Sequence, residues 1–271
     1  ALTYICMYLI DMSSTQPQVT EVKARSILTP QKFGSLAGGY DFSLNPYAGC
    51  AFSCSYCYVP KFPSAKHASF DWGKWVEVKV NAPELIRKDR ALVFGSRIFF
   101  SSATDPYQYL ELKYRLTRAC LRELLKYKPA RLTMHTRSHL LLEDLELLKQ
   151  FGDVLRVGVS ITSDDEDVVR EFEPKAPAFA RRLELIKTLR DNNIEVFASI
   201  APLLPHQPER LAGFLAPYVR SAWIDQMHWP EVNTKPILLT KYASYFQEEN
   251  YQASVIQLKS ALTARGIQIK G

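Results

Sequence analysis

Three of the chain's five cysteines, Cys50, Cys54 and Cys57, fall within eight positions of the stretch NPYAGCAFSCSYCYVP, residues 45–60. Clustered thiolates are soft ligands, so the first question is which metal a C-x3-C-x2-C spacing would hold. Structural zinc takes four ligands in a tetrahedron, usually delivered as two close pairs, and no second pair exists here. His67, ten residues past Cys57, is an alternative fourth ligand, but it arrives without a close partner. Cys6 and Cys120 stand alone, Cys120 inside the helix-like run YRLTRACLRELLKY, and both read as small hydrophobes. An iron-sulfur cubane is also normally held by four thiolates. With three, one iron stays open to a ligand that is itself a reactant.

The chemistry that fits such an iron is S-adenosylmethionine (SAM) chelating it through amino and carboxylate groups, taking one electron and breaking its sulfur to C5′ bond. The product is a 5′-deoxyadenosyl radical, which abstracts hydrogen. In chemistry of this kind the cofactor does the hard step, and the protein supplies location, orientation and exclusion of competing reactions.

Positioning such a loop requires a rigid frame. Apolar or β-branched strand candidates occur at YDFSLNPY, RIFFSSATD, RLTMHTRS, VLRVGVSIT, IEVFASIAP and SAWIDQMHW. Between them residues 108–127, 139–151, 176–191 and 207–216 place Leu or aromatic residues at helical spacing. Strands separated by helices imply a parallel sheet, and six such units predict an α/β fold, a partial (β/α)6 TIM-type barrel. The rival is a doubly wound open sheet. In either, chemistry gathers at the carboxyl ends of the strands. Those ends are Asn45–Cys50, Ser101–Asp105, Thr136–Ser138, Ser160–Ser163, Ser199–Pro202 and Gln226–Trp229, polar and aromatic after oily strands. After Pro236 one long amphipathic helix and a short apolar end are expected. The domain reading is an extension over 1–30, the barrel over 31–235 and a C-terminal helical segment over 236–271 packed on it.

The 271 residues, 47% apolar and 23% charged, are ample for a large core. An odd cysteine count in a chain this long argues against a disulfide framework and for a reducing, cytoplasmic setting. The apolar opening ALTYICMYLIDM lacks a basic segment and is too short to cross a bilayer, so no membrane partner is expected. A net charge of +6 permits a nucleic-acid partner without requiring one. Lys61, Lys66 and Lys74 interleave with Trp72 and Trp75 after the cysteines, a pattern compatible with nucleic acid or with a solvated face above a packed tryptophan.

CAFSCSYC resembles the signature loop of the radical SAM superfamily. Within it the chain resembles the spore photoproduct lyase-like group through SLNPYAGCAFSCSYCY, SSATDPYQ, HTRSHLLLEDLELL, VSITSDDEDVVREFEPKAPAFARRLELIKTL and SIAPLLP, in that order. The resemblance implies a [4Fe-4S] cluster on Cys50, Cys54 and Cys57, with Tyr56 beside the adenine. It implies that Ser102, Thr104 and Asp105 line the cofactor or substrate side. Arg137, followed by Ser138, would be the cation facing the cofactor carboxylate. Ser160 is a candidate contact for the methionyl part, and Glu173 for the ribose or a basic group. Its electron would come from an external donor of flavodoxin or ferredoxin type.

Spore photoproduct lyase itself reverses a thymine dimer lesion and returns hydrogen from a cysteine near the end of the second strand. FFSSATDP has no cysteine there, so either Tyr107 or Tyr109 replaces it or the reaction differs. A different reaction is the favoured expectation. His228, with Asp225 and Trp229, is a candidate at the sixth strand's end, where imidazole chemistry suits proton handling. DNA lesion repair, modification of a peptide, protein or small metabolite, and a non-catalytic metal-stabilised protein are the alternatives.

Overall fold

The computed structural model describes residues 16–34, 36–62, 65, 71–228, 230 and 233–270; Cys6, Lys66, His67 and Trp229 lie outside them. Its strands are β1 (Gln18–Val22), β2 (Leu28–Pro30), β3 (Phe42–Leu44), β4 (Tyr47–Ala48), β5 (Trp75–Lys79), β6 (Arg97–Phe100), β7 (Arg131–Thr136), β8 (Leu155–Ser160), β9 (Glu195–Ile200), β10 (Ser221–Ile224) and β11 (Gln268–Lys270). The helices are α1 (Ala82–Lys88), α2 (Arg90–Val93), α3 (Glu111–Tyr114), α4 (Leu116–Tyr127), α5 (Leu145–Lys149), α6 (Glu166–Phe172), α7 (Phe179–Asp191), α8 (Pro208–Leu215), α9 (Pro236–Lys241), α10 (Ala243–Phe246) and α11 (Glu248–Ala264).

Each of the six expected strands is present, as β3, β6, β7, β8, β9 and β10, and these lie side by side in chain order. All their pairings are parallel. An order that never reverses has no switch point. With right-handed crossovers, every connecting helix then falls on the same face, and the other face is left concave. That is the partial barrel rather than the doubly wound sheet, whose order must turn back on itself. β2 closes one edge antiparallel and β11 extends the other in parallel. A separate small sheet, β1-β5-β4, carries the entry to the cysteine loop.

Alternation along the strands separates the two faces. Ile98, Phe100, Leu132, Met134, Val157, Val159, Val196, Ala198 and Ile200 belong to one continuous core with the helices. Their neighbours in sequence, Phe99, Thr133, His135, Arg156, Gly158, Ser160, Phe197 and Ser199, take the concave face.

The helices depart from the periodic reading in three places. Residues 108–127 are interrupted at Arg115, which adopts a left-handed φ of 47°, and the Glu111 carboxylate accepts the Thr117 amide at 2.8 Å where the helix restarts. Residues 139–151 begin as a tight turn, His139–Asp144, capped by Ser138 Oγ accepting from the Leu140 amide, before α5. The expected long helix after Pro236 is three pieces, because the chain is extended at Gln247 and leaves helical geometry at Tyr242.

Candidate active site at the mouth of the barrel

The cysteine loop leaves β3 and β4 at Gly49, whose φ of 79° and lack of a side chain are both required: a Cβ there would lie 2.4 Å from the Trp75 carbonyl oxygen. The turn after β6 then clamps the loop. Gln108 Oε1 accepts the Ala51 amide at 2.9 Å, and Thr104 Oγ1 donates to the Gly49 carbonyl at 2.6 Å. Asn45 ties in Ser102, donating to its Oγ at 3.3 Å and accepting the Ala103 amide at 2.9 Å. From the other side the Phe172 carbonyl at the end of α6 accepts the Ser55 amide at 2.8 Å, and Asn233 Nδ2 donates to the Cys54 carbonyl at 2.7 Å. Three separated segments therefore fix one loop.

Behind it lies a buried charge network. Glu173, fully buried, is paired with Arg182 and Arg137 and accepts hydrogen bonds from Tyr56 and Thr162. Burial alone would push the Glu173 carboxyl up, but the two guanidiniums outweigh it and hold it down at about 2. Arg182 spends its other donors on the Pro177 carbonyl at 2.8 Å and the Ser160 carbonyl at 3.2 Å. Arg137 Nη1 donates to Tyr56 Oη at 2.7 Å and to Cys54 Sγ at 2.8 Å. Asp105 accepts the Thr136 hydroxyl at 2.7 Å and the Arg137 amide at 2.9 Å, fixing the end of β7. Its carboxyl is raised by burial despite these donors.

Cys50 and Cys54 are buried and Cys57 is partly exposed, all without disulfides. Burial pushes the Cys50 thiol up to about 12 and the Cys54 thiol up to about 11, so each stays protonated until a metal replaces the proton. Among the described residues no three of His, Cys, Asp or Glu converge closely enough to hold a single ion. A cubane asks for something else, since it binds each cysteine at a different corner and needs sulfurs around a space rather than at a point. Ser55 Oγ in the loop and Ser101 Oγ at the end of β6 are buried without hydrogen-bond partners, hydroxyls that a seated polar group would satisfy. The donor set and these orphaned hydroxyls fit a three-cysteine cluster.

The remaining sequence candidates divide. Tyr109 is half-buried and close enough to Cys50 for that thiol to raise it further, after burial. Ser160 ends β8 on the concave face. Ser138 is used as a helix cap. Tyr107 is not brought to the loop: its hydroxyl is buried and donates to Asp144 at 3.0 Å. His228 sits on the exposed rim, 3.1 Å from Asp225. Trp75 is buried in β5 and packs edge-on against the partly buried Trp72, and Lys74 pairs with Asp71 on the surface. Asn45 and Thr162 lie in the strand-end stretches expected to carry chemistry, whereas nothing in the sequence marks Arg182, Gln108 or Asn233. Arg182 lies in the run EPKAPAFARR, where a paired arginine reads as the solvated face of a helix.

A parallel partial barrel with a three-cysteine loop at its carboxyl rim defines a class of radical enzymes, and the comparisons agree. The profile of the Radical SAM superfamily matches residues 44–214. The chain belongs to that superfamily. An uncharacterized protein of Methanocaldococcus jannaschii is 29% identical over 90% of this chain and 88% of its own length. An uncharacterized protein of Acidianus two-tailed virus is 30% identical over 60% of this chain and 56% of its own. Among solved structures, a spore photoproduct lyase variant with bound AdoMet and dinucleoside spore photoproduct superposes with a TM-score of 0.65 at 15% identity, covering 93% of this chain and 81% of that one. Streptococcus suis SuiB bound to S-adenosylmethionine gives 0.56 at 12%, covering 84% and 49%. At these identities the likeness speaks for the fold. No helix among the described residues is long and apolar enough to cross a membrane.

Proposed function

We propose that Cys50, Cys54 and Cys57 hold a [4Fe-4S] cluster with one iron left for SAM, and that the chain takes hydrogen from a substrate laid on the concave face. When bound, that pair would supply a 5′-deoxyadenosyl radical at the expense of one electron taken from outside. The observation that carries the reading is the loop itself: three thiols at the barrel mouth, clamped from three segments. Tyr56, Arg137 and Glu173 hold the back of the cofactor space; Ser102, Thr104, Asp105 and Ser138 fix its walls through the hydrogen bonds above. Ser160 and Tyr109 face it. Cys120 is fully buried in α4 and isolated, so among the described residues no second cluster site exists and the electron comes from an outside donor of flavodoxin or ferredoxin type.

A nucleic-acid lesion is the second reading, supported by the dinucleoside ligand of the similar lyase. It would need Tyr109 to return hydrogen, since no cysteine occupies residues 101–108. A peptide or small metabolite met by the ring-lined concave face carries no such requirement, and we favour a reaction other than lesion reversal.

The test is anaerobic reconstitution with iron and sulfide, followed by dithionite and SAM, with 5′-deoxyadenosine measured by chromatography. Product that disappears in Cys54→Ala supports the proposal. No product from protein with an intact four-iron spectrum overturns it.

A further inference from the structure

The three cysteines are approached differently. Cys50 meets the backbone amides of Phe52 and Asp105, and Cys57 that of Val59. Cys54 instead lies against two side chains, the Tyr56 hydroxyl and the charged Arg137, whose Nη1 donates to its sulfur at 2.8 Å. That guanidinium is only 15% exposed and cannot swing away without losing Glu173 at 3.3 Å and Tyr56 at 2.7 Å. Arg182 cannot substitute, because its donors are committed to Pro177, Ser160 and Glu173.

We propose that Arg137 is the positioning residue that sets the reduction potential of the proposed cluster, by a fixed charge-assisted hydrogen bond to the Cys54 thiolate, with Glu173 as its counterweight. This rests on the cluster assignment above and departs from the role the family resemblance implies, a cation reserved for the cofactor carboxylate. The physics is that reduction adds negative charge at the thiolates. An N–H donor and a positive charge in a poorly screened site favour that form and raise the potential. A carboxylate on the far side of the same guanidinium opposes them. The two residues should therefore act with opposite signs, which a merely structural pair would not do.

The experiment is a mediated dithionite titration of the reconstituted protein without SAM, followed by electron paramagnetic resonance. Arg137→Gln should lower the reduced-to-oxidised ratio at fixed poise about tenfold, a shift of about 59 mV to more negative potential for one electron. Glu173→Gln should shift it the other way, and Arg137→Lys, which keeps the charge, should lie between wild type and the Gln variant. Because a variant can fail to fold or load, wild-type protein carrying 15N-arginine is measured as well. A hyperfine coupling from an arginine nitrogen to the reduced cluster is expected, and its absence overturns the proposal. Unchanged potential in Arg137→Gln with weakened SAM binding also overturns it and returns Arg137 to the cofactor carboxylate. Wild-type protein that loads no four-iron cluster would instead defeat the cluster assignment itself.

Discussion

The central strands carry two faces built from the same backbone, one residue out of phase, and the two have been put to different uses. The outer face is aliphatic and sealed: Ile98, Leu132, Met134, Val157, Val159, Ala198 and Ile200 have no measurable exposure. The inner face holds Ser43, Thr133, Arg156, Ser160 and Ser199 among rings, with His135 between Phe99 at 4.7 Å and Phe197 at 5.2 Å. Buried polar groups cost stability unless partnered, and Thr133 Oγ1 has no partner at all. Stability is thus supplied by one face, while the other keeps groups that packing alone would not select.

The comparison breaks most directly at Glu173. Glu173→Ala leaves Arg182 buried with no carboxylate, and the expected loss is about 3–5 kcal/mol in urea denaturation. A loss well under 1 kcal/mol would mean that the network does not organise the mouth. Next is the outer face: Leu132→Ala should cost about 2–5 kcal/mol through the cavity it leaves. Protein that remains folded should bind SAM as wild type does by equilibrium dialysis. Weakened binding at full folding would show that the two faces are not separable.

How far the sequence carried the reading follows the same division. The six strands were legible because each is an oily run ending in polar residues, and the cysteine loop because thiol spacing is chemically restrictive. The helix breaks were not. Arg115 takes a left-handed conformation where no glycine announces it, and the Glu111 side chain meeting the Thr117 amide, with the Thr117 hydroxyl on the Pro106 carbonyl, helps to offset its strain. Tyr107 and Tyr109, two residues apart, carry the same chemistry on paper; only the fold buries one hydroxyl against Asp144 and leaves the other ring half-buried. Glu173 stood out as a candidate, but its partner Arg182 lies on an amphipathic helix whose charged residues ordinarily face water.

The pH response sharpens the contrast on the inner face. Burial, with Arg156 and Arg137 nearby, holds the His135 imidazole down at about 4, against 6.5 in its ordinary state. The unfolded chain then binds the extra proton first, so this residue's contribution is complete above about pH 6.5 and is lost as pH falls toward 4. Linkage puts the loss at up to about 3 kcal/mol. His135→Gln should flatten that part of the stability profile relative to wild type; parallel profiles would remove the imidazole from the inner-face account.

The smallest effect compares one substitution at two glycines. A Cβ at Gly158 would lie 2.6 Å from Phe197 and 2.7 Å from His135, so Gly158→Ala must push rings apart on the inner face. Overpacking of this kind costs about 1–3 kcal/mol. Gly213, exposed inside α8, has nothing within 4 Å of the same added carbon. There alanine should raise stability by about 0.5–1 kcal/mol through helix propensity alone. Opposite signs in paired thermal melts are expected. Equal signs would mean that the glycine of β8 is not holding the ring floor open, and that the inner face is as adaptable as a helix surface.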